Sequence, residues 1–436
     1  MTKPLVALVG RPNVGKSTLF NRLIEERLAI VEDVPGTTRD RIYADAQWGG
    51  TTFTVIDTGG LLPEPTDDLV ALVRDQVQIA IAEAEVIVFL VDVKEGVIAS
   101  DLEIAHLLRR SNKPIILAVN KADNESRRQA AVEFYQLGLG EPCPISALHG
   151  TGSGDLLDAL LNVLPPRQPE AEAEGIKIAI VGRPNVGKSS VLNTILGQER
   201  MIVNEKPGTT RDAVDSFIEW DGQPVTLIDT AGIRRRGRIA RGIERYSVIR
   251  ALRAIQRADV ALLLVDAVEG VTAQDAHIAG YIVEELKGVV IVVNKWDLIE
   301  KDTYTMEEYT REIRRVLKFI AHAPLVFVSA ITGQRVEKAI DVALRVQRAR
   351  SYRVPTAQLN KLVEDAVSGH SPPSKRGKRL RIYYATQVGI APPSFIFFVN
   401  DPQLVHFSYR RYLVNQLRQA YDFEGAPLRL SFRKRT

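Results

Sequence analysis

Cysteine is almost absent from this chain: Cys143 is the single one among 436 residues. No intrachain disulfide can form, which excludes the disulfide-stapled folds of oxidising compartments. There is no run of about 18 apolar residues and no N-terminal signal pattern, so neither a spanning helix nor a secreted product is expected. Aromatic residues are sparse at 6%, and the 22 prolines and 30 glycines stay near ordinary usage, excluding collagen-like and low-complexity chains. What remains is 45% hydrophobic and 25% charged, the composition of packed globular domains. The length predicts about two to four domains in a reduced, soluble, cytoplasmic protein.

Acidic side chains are scarce at one end. Residues 1–164 hold 15 basic and 23 acidic side chains, residues 165–352 hold 28 and 25, and residues 353–436 hold 14 and 5, so a net charge of +4 conceals segments of −8, +3 and +9. A basic terminal segment points to a polyanionic partner, nucleic acid foremost.

The chain repeats itself. VGRPNVGKS runs from Val9 to Ser17 and again from Val181 to Ser189, and PGTTRD from Pro35 to Asp40 and Pro207 to Asp212, all offset by 172 residues. Asn120-Lys121 pairs with Asn294-Lys295 at an offset of 174, and Ser146-Ala147 with Ser329-Ala330 at 183. A period this long means two copies of a domain rather than a solenoid unit. Pro165 to Gly175, rich in Pro, Glu and Ala, separates the copies as a linker. The second copy ends in the helical stretch around Val336 to Arg350, and the Val354-Pro355 step breaks the helix and opens a third domain. The expected plan is therefore a domain at 1–164, a linker at 165–175, a second domain at 176–352 and a basic domain at 353–436.

Apolar runs at Leu5 to Val9, Phe53 to Ile56, Val86 to Val91 and Ile115 to Val119 predict buried strands, repeated at Ile178 to Val181, Val225 to Ile228, Val260 to Val265 and Val289 to Val293. Alternation with helical stretches such as Leu102 to Leu108 predicts an α/β class with a mostly parallel sheet and helices on both faces.

Gly10, Arg11, Pro12, Asn13, Val14, Gly15, Lys16 and Ser17, followed by Thr18, fit the phosphate-loop pattern directly after a predicted strand and before an amphipathic helix. Glycines let backbone N–H groups curl around phosphate oxygens, Lys16 can reach the β and γ phosphates, and Ser17 can ligate magnesium. Gly182, Arg183, Pro184, Asn185, Val186, Gly187, Lys188, Ser189 and Ser190 repeat the pattern. Asp57-Thr58-Gly59-Gly60 and Asp229-Thr230-Ala231-Gly232 close apolar strands, placing a carboxylate toward magnesium and the N–H of Gly60 or Gly232 toward the γ phosphate. The carboxylates of Asp123 and Asp297, in Asn120-Lys121-Ala122-Asp123 and Asn294-Lys295-Trp296-Asp297, can accept the two donors on guanine's N1 and N2 edge. Adenine offers no such pair.

These elements, with Ser146-Ala147 and Ser329-Ala330 as loops backing the base, resemble the translation-factor class of G domains. Two of them in one chain, each with GRPNVGKS and PGTTRD and followed by a small basic domain, resemble the Der (EngA) family of bacterial ribosome-assembly GTPases. That resemblance implies two P-loop G domains, a KH-like third domain, magnesium-dependent GTP hydrolysis, and action on the large ribosomal subunit and its rRNA. Neither a DNA nor a membrane partner is expected, and a monomer is expected. Lys16, Thr38, Gly60, Lys188, Thr210 and Gly232 would carry catalysis. Either threonine of Thr37-Thr38 or Thr209-Thr210 can reach magnesium; related G domains use the second, here Thr38 and Thr210. Rival readings are a nucleotide-gated RNA-binding adaptor and a tRNA-modification partner.

Many small GTPases place a glutamine after the D-x-x-G glycine to orient water, but Leu61 and Ile233 stand there. Related GTPases with this replacement use potassium near the phosphates, held partly by the phosphate-loop asparagine, which corresponds to Asn13 and Asn185. The second copy continues Ile233-Arg234-Arg235-Arg236-Gly237-Arg238 where the first has the neutral Leu61-Leu62-Pro63, so the second switch loop is either an RNA or domain contact or a solvated charge run. From Pro355 a helix at Leu359 to Val367, strands at Leu380 to Val388 and Phe395 to Val399, a helix at Tyr409 to Tyr421 and a strand at Leu428 to Phe432 are expected. No G-x-x-G occurs between 353 and 436, which argues against the backbone clamp of ordinary KH domains and leaves shape and charge recognition of folded rRNA, or docking onto the G domains, for this basic domain. Tyr383, Phe395, Phe397 and Phe398 are expected in the core rather than as base-stacking platforms.

Overall fold

A strand covered on both faces has no polar side to display, so the uninterrupted apolar runs fold as central strands. In the computed structural model, which describes residues 3–25, 43–58, 77–78, 80–165, 175–197, 201–203, 215–230, 243–372, 374–375 and 378–435, they do so in both repeats. The first sheet comprises β1 (Leu5–Val9), β2 (Tyr43–Trp48), β3 (Thr51–Asp57), β4 (Val86–Asp92), β5 (Ile115–Asn120) and β6 (Cys143–Pro144), in the order β2-β3-β1-β4-β5-β6. All neighbours are parallel except the β2/β3 hairpin. Its β1 feeds two cores: Val6 and Leu8 pack with Leu19, Phe20 and Leu157 on one face, and Ala7 and Val9 pack with Phe89, Ile104 and Phe134 on the other.

The second sheet repeats the plan with β7 (Ile176–Val181), β8 (Met201–Val203), β9 (Ser216–Trp220), β10 (Gln223–Ile228), β11 (Val260–Asp266), β12 (Gly288–Asn294) and β13 (Leu325–Phe327), ordered β13-β12-β11-β7-β10-β9-β8. Edge strands β2 and β8, and β9 next to β8, lack a long apolar run and were not expected from the sequence. A tryptophan tether fixes each hairpin instead. Trp48 Nε1 donates to Asp158 at 2.7 Å, and Trp220 Nε1 to Asp341 at 2.9 Å, tying each hairpin to the last helix of its repeat.

In each repeat the first strand is flanked by strands that continue in opposite directions along the sheet. That reversal opens a crevice at the strand's carboxyl end, where ligands of open α/β sheets sit.

The basic segment forms an α+β, KH-like layer. Helices Thr356–Gly369 and Phe407–Ala420 cover a sheet of β16 (Ile382–Gly389), β17 (Ser394–Val399) and β18 (Arg429–Lys434), preceded by the short hairpin of β14 (Ser374–Lys375) and β15 (Lys378–Arg379). The pair β16/β17 is antiparallel and β17/β18 parallel. Phe395 and Phe397 are core residues, but Tyr383 is 45% exposed, contrary to expectation. A register shift between Ile382 and Tyr384 breaks the two-residue alternation, so Tyr383 and Tyr384 are both exposed.

The chain divides into two compact units, Met1–Ala171 and Glu172–Thr436. Within the second unit the KH-like layer is plugged into the α/β sheet. Val289 N–H donates to Gly425 O and Gly425 N–H to His322 O, each at 2.9 Å, and Arg345 pairs with Glu424 at 3.0 Å. Gly425 has φ +68°, and a Cβ there would lie 2.8 Å from the Val289 carbonyl. A left-handed residue in close backbone contact requires glycine. Among the described residues, no helix is long and apolar enough to cross a membrane.

Candidate nucleotide-binding sites

Each phosphate loop bridges the first strand of its sheet and the following helix, Lys16–Glu25 or Lys188–Leu196. Gly15 and Gly187 have φ +98° and +92°, and a Cβ on either would collide with the side-chain amide of Asn120 or Asn294. Asn13 and Asn185 have φ 66° and 65°, a left-handed conformation that asparagine tolerates better than most residues. Their side chains and those of Pro12, Ser17 and Thr18 are exposed, whereas Val14 and Val186 are fully buried anchors.

Lys16 folds back over its loop, donating to Gly10 O at 2.7 Å and Arg11 O at 2.8 Å, and Lys188 donates to Gly182 O at 2.6 Å. Burial pushes the Lys16 ammonium down to about 8, against the pull of Asp57. Phosphate oxygens would restore the charged form, so nucleotide binding above that pH must take up a proton. Titration calorimetry in two buffers of different ionisation enthalpy is expected to show uptake rising from about pH 7.5 to about pH 8.5 at the first site. Lys16→Met is expected to erase it; pH-independent uptake would contradict this assignment.

Asn120 and Asn294 join three loops. Asn120 Nδ2 donates to Val14 O at 2.7 Å while its Oδ1 accepts from Ala147 N–H at 2.9 Å. Asn294 does the same with Val186 O at 2.8 Å and Ala330 N–H at 3.0 Å. Lys121 and Lys295 follow in left-handed conformation, each ammonium 2.5 Å from a buried carboxylate, Asp92 or Asp266. Ser146 and Ser329 are buried in the backing loops.

The two copies differ at the base-reading carboxylate. Asp123 accepts from Ser146 Oγ at 2.9 Å, pairs with Arg127 at 2.9 Å and Lys94 at 3.4 Å, and is held below the ordinary carboxylate range chiefly by the serine hydroxyl. Asp297 has a buried Oδ1 with no hydrogen-bond partner. An orphaned buried acceptor is unfavourable until a donor reaches it, and guanine's N1–H is such a donor.

They differ again at the strand ends. Ser17 Oγ donates to Asp57 at 2.6 Å, and Thr58 Oγ1 to Leu8 O at 2.6 Å. Asp229 instead has φ 57°, its N–H bonded to Asp215 at 2.9 Å, and Thr230 Oγ1 lies 2.8 Å from Ser216 Oγ. A hydroxyl beside a carboxylate is a hard-oxygen donor set, which fits magnesium. Thr37, Thr38, Gly59, Gly60, Leu61, Thr209, Thr210, Ala231, Gly232, Ile233, the arginines 234–236 and 238, and linker residues 166–174 lie outside the described residues.

A set of acidic residues was missed in the sequence. Asp92 closes β4, Glu95 lies in the turn that follows, and Asp101 sits in the first turn of the helix Ala99–Arg109. Asp266, Glu269 and Asp275 recur at the end of β11, in the turn and in the first turn of the helix Ala273–Glu284. The signal was available as D-x-x-E-G-V-x-x-x-D, repeated at the same 174-residue offset as Asn120 and Asn294.

Comparison with known proteins follows this division. A family model described as "50S ribosome-binding GTPase" matches residues 5–121 and 177–295, and one described as "KH-domain-like of EngA bacterial GTPase enzymes, C-terminal" matches 353–433. The chain is 54% identical over 443 residues to the GTPase Der of Chloroflexus aggregans, covering 100% of this chain and 99% of that protein. Identity is 56% over 434 residues to the GTPase Der of Moorella thermoacetica, with 100% and 99% covered. It is 55% over 445 residues to that of Thermomicrobium roseum, with 100% and 97% covered.

Proposed function

Because the chain belongs to the Der family of tandem GTPases, we propose that it hydrolyses GTP at two sites to govern its association with the large ribosomal subunit during that subunit's maturation. The observation that carries this reading is the asparagine joint, present twice, which locks phosphate loop, base-reading loop and backing loop into one cradle. In this reading the loops Gly10–Thr18 and Gly182–Ser190 hold the phosphates, Asp123 and Asp297 read guanine, and the backing residues Ser146, Ala147, Ser329 and Ala330 line the base. Magnesium, held by Ser17 with Asp57 and by Ser189 with Asp229, would neutralise phosphate charge when bound. Thr38 and Thr210 would complete each set, with Gly60 and Gly232 facing the γ phosphate. Lys16 and Lys188 exchange their loop carbonyls for phosphate oxygens and stabilise the charge that develops on them.

Leu61 and Ile233 cannot orient water, and the exposed left-handed Asn13 and Asn185 support a potassium ion in that charge-stabilising role. Hydrolysis is expected to run several-fold faster in potassium than in sodium, and Asn13→Ala with Asn185→Ala to erase the difference. Equal rates in the two salts would exclude the ion.

The KH-like layer supplies the proposed rRNA contact. Tyr384 stacks on Phe398 at 4.3 Å, Arg433 lies in register beside Phe398, and Arg435 lies 5.0 Å over the Tyr383 ring. Exposed Lys378, Arg379, Arg381 and Lys434 add phosphate attraction. Aromatic faces flanked by arginine suit RNA without the missing G-x-x-G. Action in the cytoplasm, as a monomer, accords with this role. Single-turnover hydrolysis with and without large-subunit precursor particles tests the reading: acceleration by particles supports it, and identical slow rates would favour an adaptor.

A further inference from the structure

The phosphate-loop arginines point away from the phosphates. Arg11 Nε donates to Asp101 at 3.2 Å and its Nη1 to Glu95 at 2.5 Å, with the Arg11 side chain only 10% exposed and Asp101 fully buried. In the second copy Arg183 pairs with Glu269, and its Nε lies 3.3 Å from the fully buried Asp275. Between the carboxylates Gly, Val and Ala recur while Ile98 and Ser100 give way to Thr272 and Gln274; both arginines face the same two carboxylates, although Arg183 Nε makes an ion contact with Asp275 without a hydrogen bond.

Stability is a poor explanation for this arrangement. Arg11 Nη2, Arg183 Nη2 and Asp275 Oδ1 are buried without hydrogen-bond partners. Burial holds both Asp101 and Asp275 above the ordinary carboxylate range, although the neighbouring arginine pulls the other way. Buried pairs with orphaned atoms are weak stabilisers compared with apolar packing.

Geometry explains it better. In the first copy the acidic segment grips the side chain of Arg11, the very residue whose carbonyl receives the Lys16 ammonium. The acidic segment is itself fixed: Asp101 accepts from Ile98 N–H at 3.4 Å, and Asp275 from Thr272 N–H at 3.0 Å and Oγ1 at 2.9 Å. The same segment carries Asp92 or Asp266, which holds the lysine of the base-reading loop. One rigid strut thus has an anchor for the phosphate loop and another for the guanine loop.

We propose that Arg11 and Arg183 are positioning residues, which set the phosphate loop relative to the guanine loop through the acidic struts Asp92–Asp101 and Asp266–Asp275. The proposal rests on the reading of these loops as GTP sites. It makes the strut part of the nucleotide site without its touching nucleotide.

The test is GDP titration calorimetry and steady-state GTP hydrolysis on the full chain, for wild type, Arg11→Met, Asp101→Asn, the double variant and Arg11→Lys. Arg11→Met is expected to weaken GDP at one of the two sites by about tenfold or more, as misplacement of a binding loop does, and to leave the other unchanged. KM should rise more than kcat falls, since bound substrate and transition state use the same loop. Asp101→Asn should weaken the same site, and the double variant should be no worse than Arg11→Met. Lysine, which keeps the charge but lacks the planar fork of the guanidinium, should recover only part of the affinity. Thermal melting of each nucleotide-free variant reports folding separately. A lowered melting point with unchanged GDP affinity, or additive losses in the double variant, would overturn the proposal. Wild type that bound no GDP would instead overturn the GTP-site reading beneath it.

Discussion

Replacing Asp123 and Asp297 by asparagine is expected to turn both sites from guanine to xanthine nucleotides. Guanine presents two donors, N1–H and the 2-amino group, to a carboxylate that only accepts. Asparagine offers one acceptor and one donor, which matches the N1–H and the 2-oxo group of xanthine. A site built for paired hydrogen bonds discriminates by about 10⁴ when the pattern is broken, because buried groups are left unmet. GTP affinity should therefore fall by about 10³ or more at the substituted site, with XTP gaining in its place. Asp123→Asn alone should convert one site, leaving a chain that needs both nucleotides for full occupancy. At the first site the carboxylate also surrenders its pairs with Arg127 and Lys94, both partly exposed and so of small energetic weight. Substitution there should leave folding intact. A variant that kept GTP affinity within a factor of about three would remove guanine reading from these residues.

Lys16→Met and Lys188→Met are expected to abolish measurable turnover at their respective sites. Each lysine is buried over the loop that phosphate would occupy, with its ammonium on main-chain carbonyls. Removing one preorganised charge aimed at a developing anion lowers kcat by about 10² to 10³. Methionine keeps the aliphatic volume, so the loop should hold its shape, apart from the unmet carbonyls at about 1 kcal/mol each. Single-turnover assays of the two variants should lose complementary fractions of the wild-type burst, and the double variant nearly all of it. A double variant that still hydrolysed GTP at the wild-type rate would place catalysis elsewhere.

The central strands were legible because doubly covered strands leave an unbroken apolar signature, as in Val86–Asp92 and Val260–Asp266. The edge strands were not. Tyr43–Trp48 carries Asp45 and Gln47, and its place is fixed by a tryptophan reaching a helix more than a hundred residues away. The phosphate and base-reading motifs were visible because backbone curvature and hydrogen-bond complementarity demand particular residues at particular spacings. The acidic strut was overlooked since scattered Asp and Glu resemble solvated charge until the fold buries Asp101 and Asp275 against Arg11 and Arg183. Tyr383 was misjudged for a comparable reason: strand alternation predicts facing only where register is unbroken. The glycine at 425 had no local signal at all, because its necessity lies in the approach of Val289 from another sheet.

Association of the full chain with purified large-subunit particles, followed by co-sedimentation with GDP, GTP and a non-hydrolysable GTP analogue, tests the role in subunit maturation. Binding is expected to depend on which nucleotide is present and to be lost in Lys16→Met with Lys188→Met. Equal sedimentation in all three nucleotides, or none in any, would contradict a role in subunit maturation while leaving the GTPase itself in place.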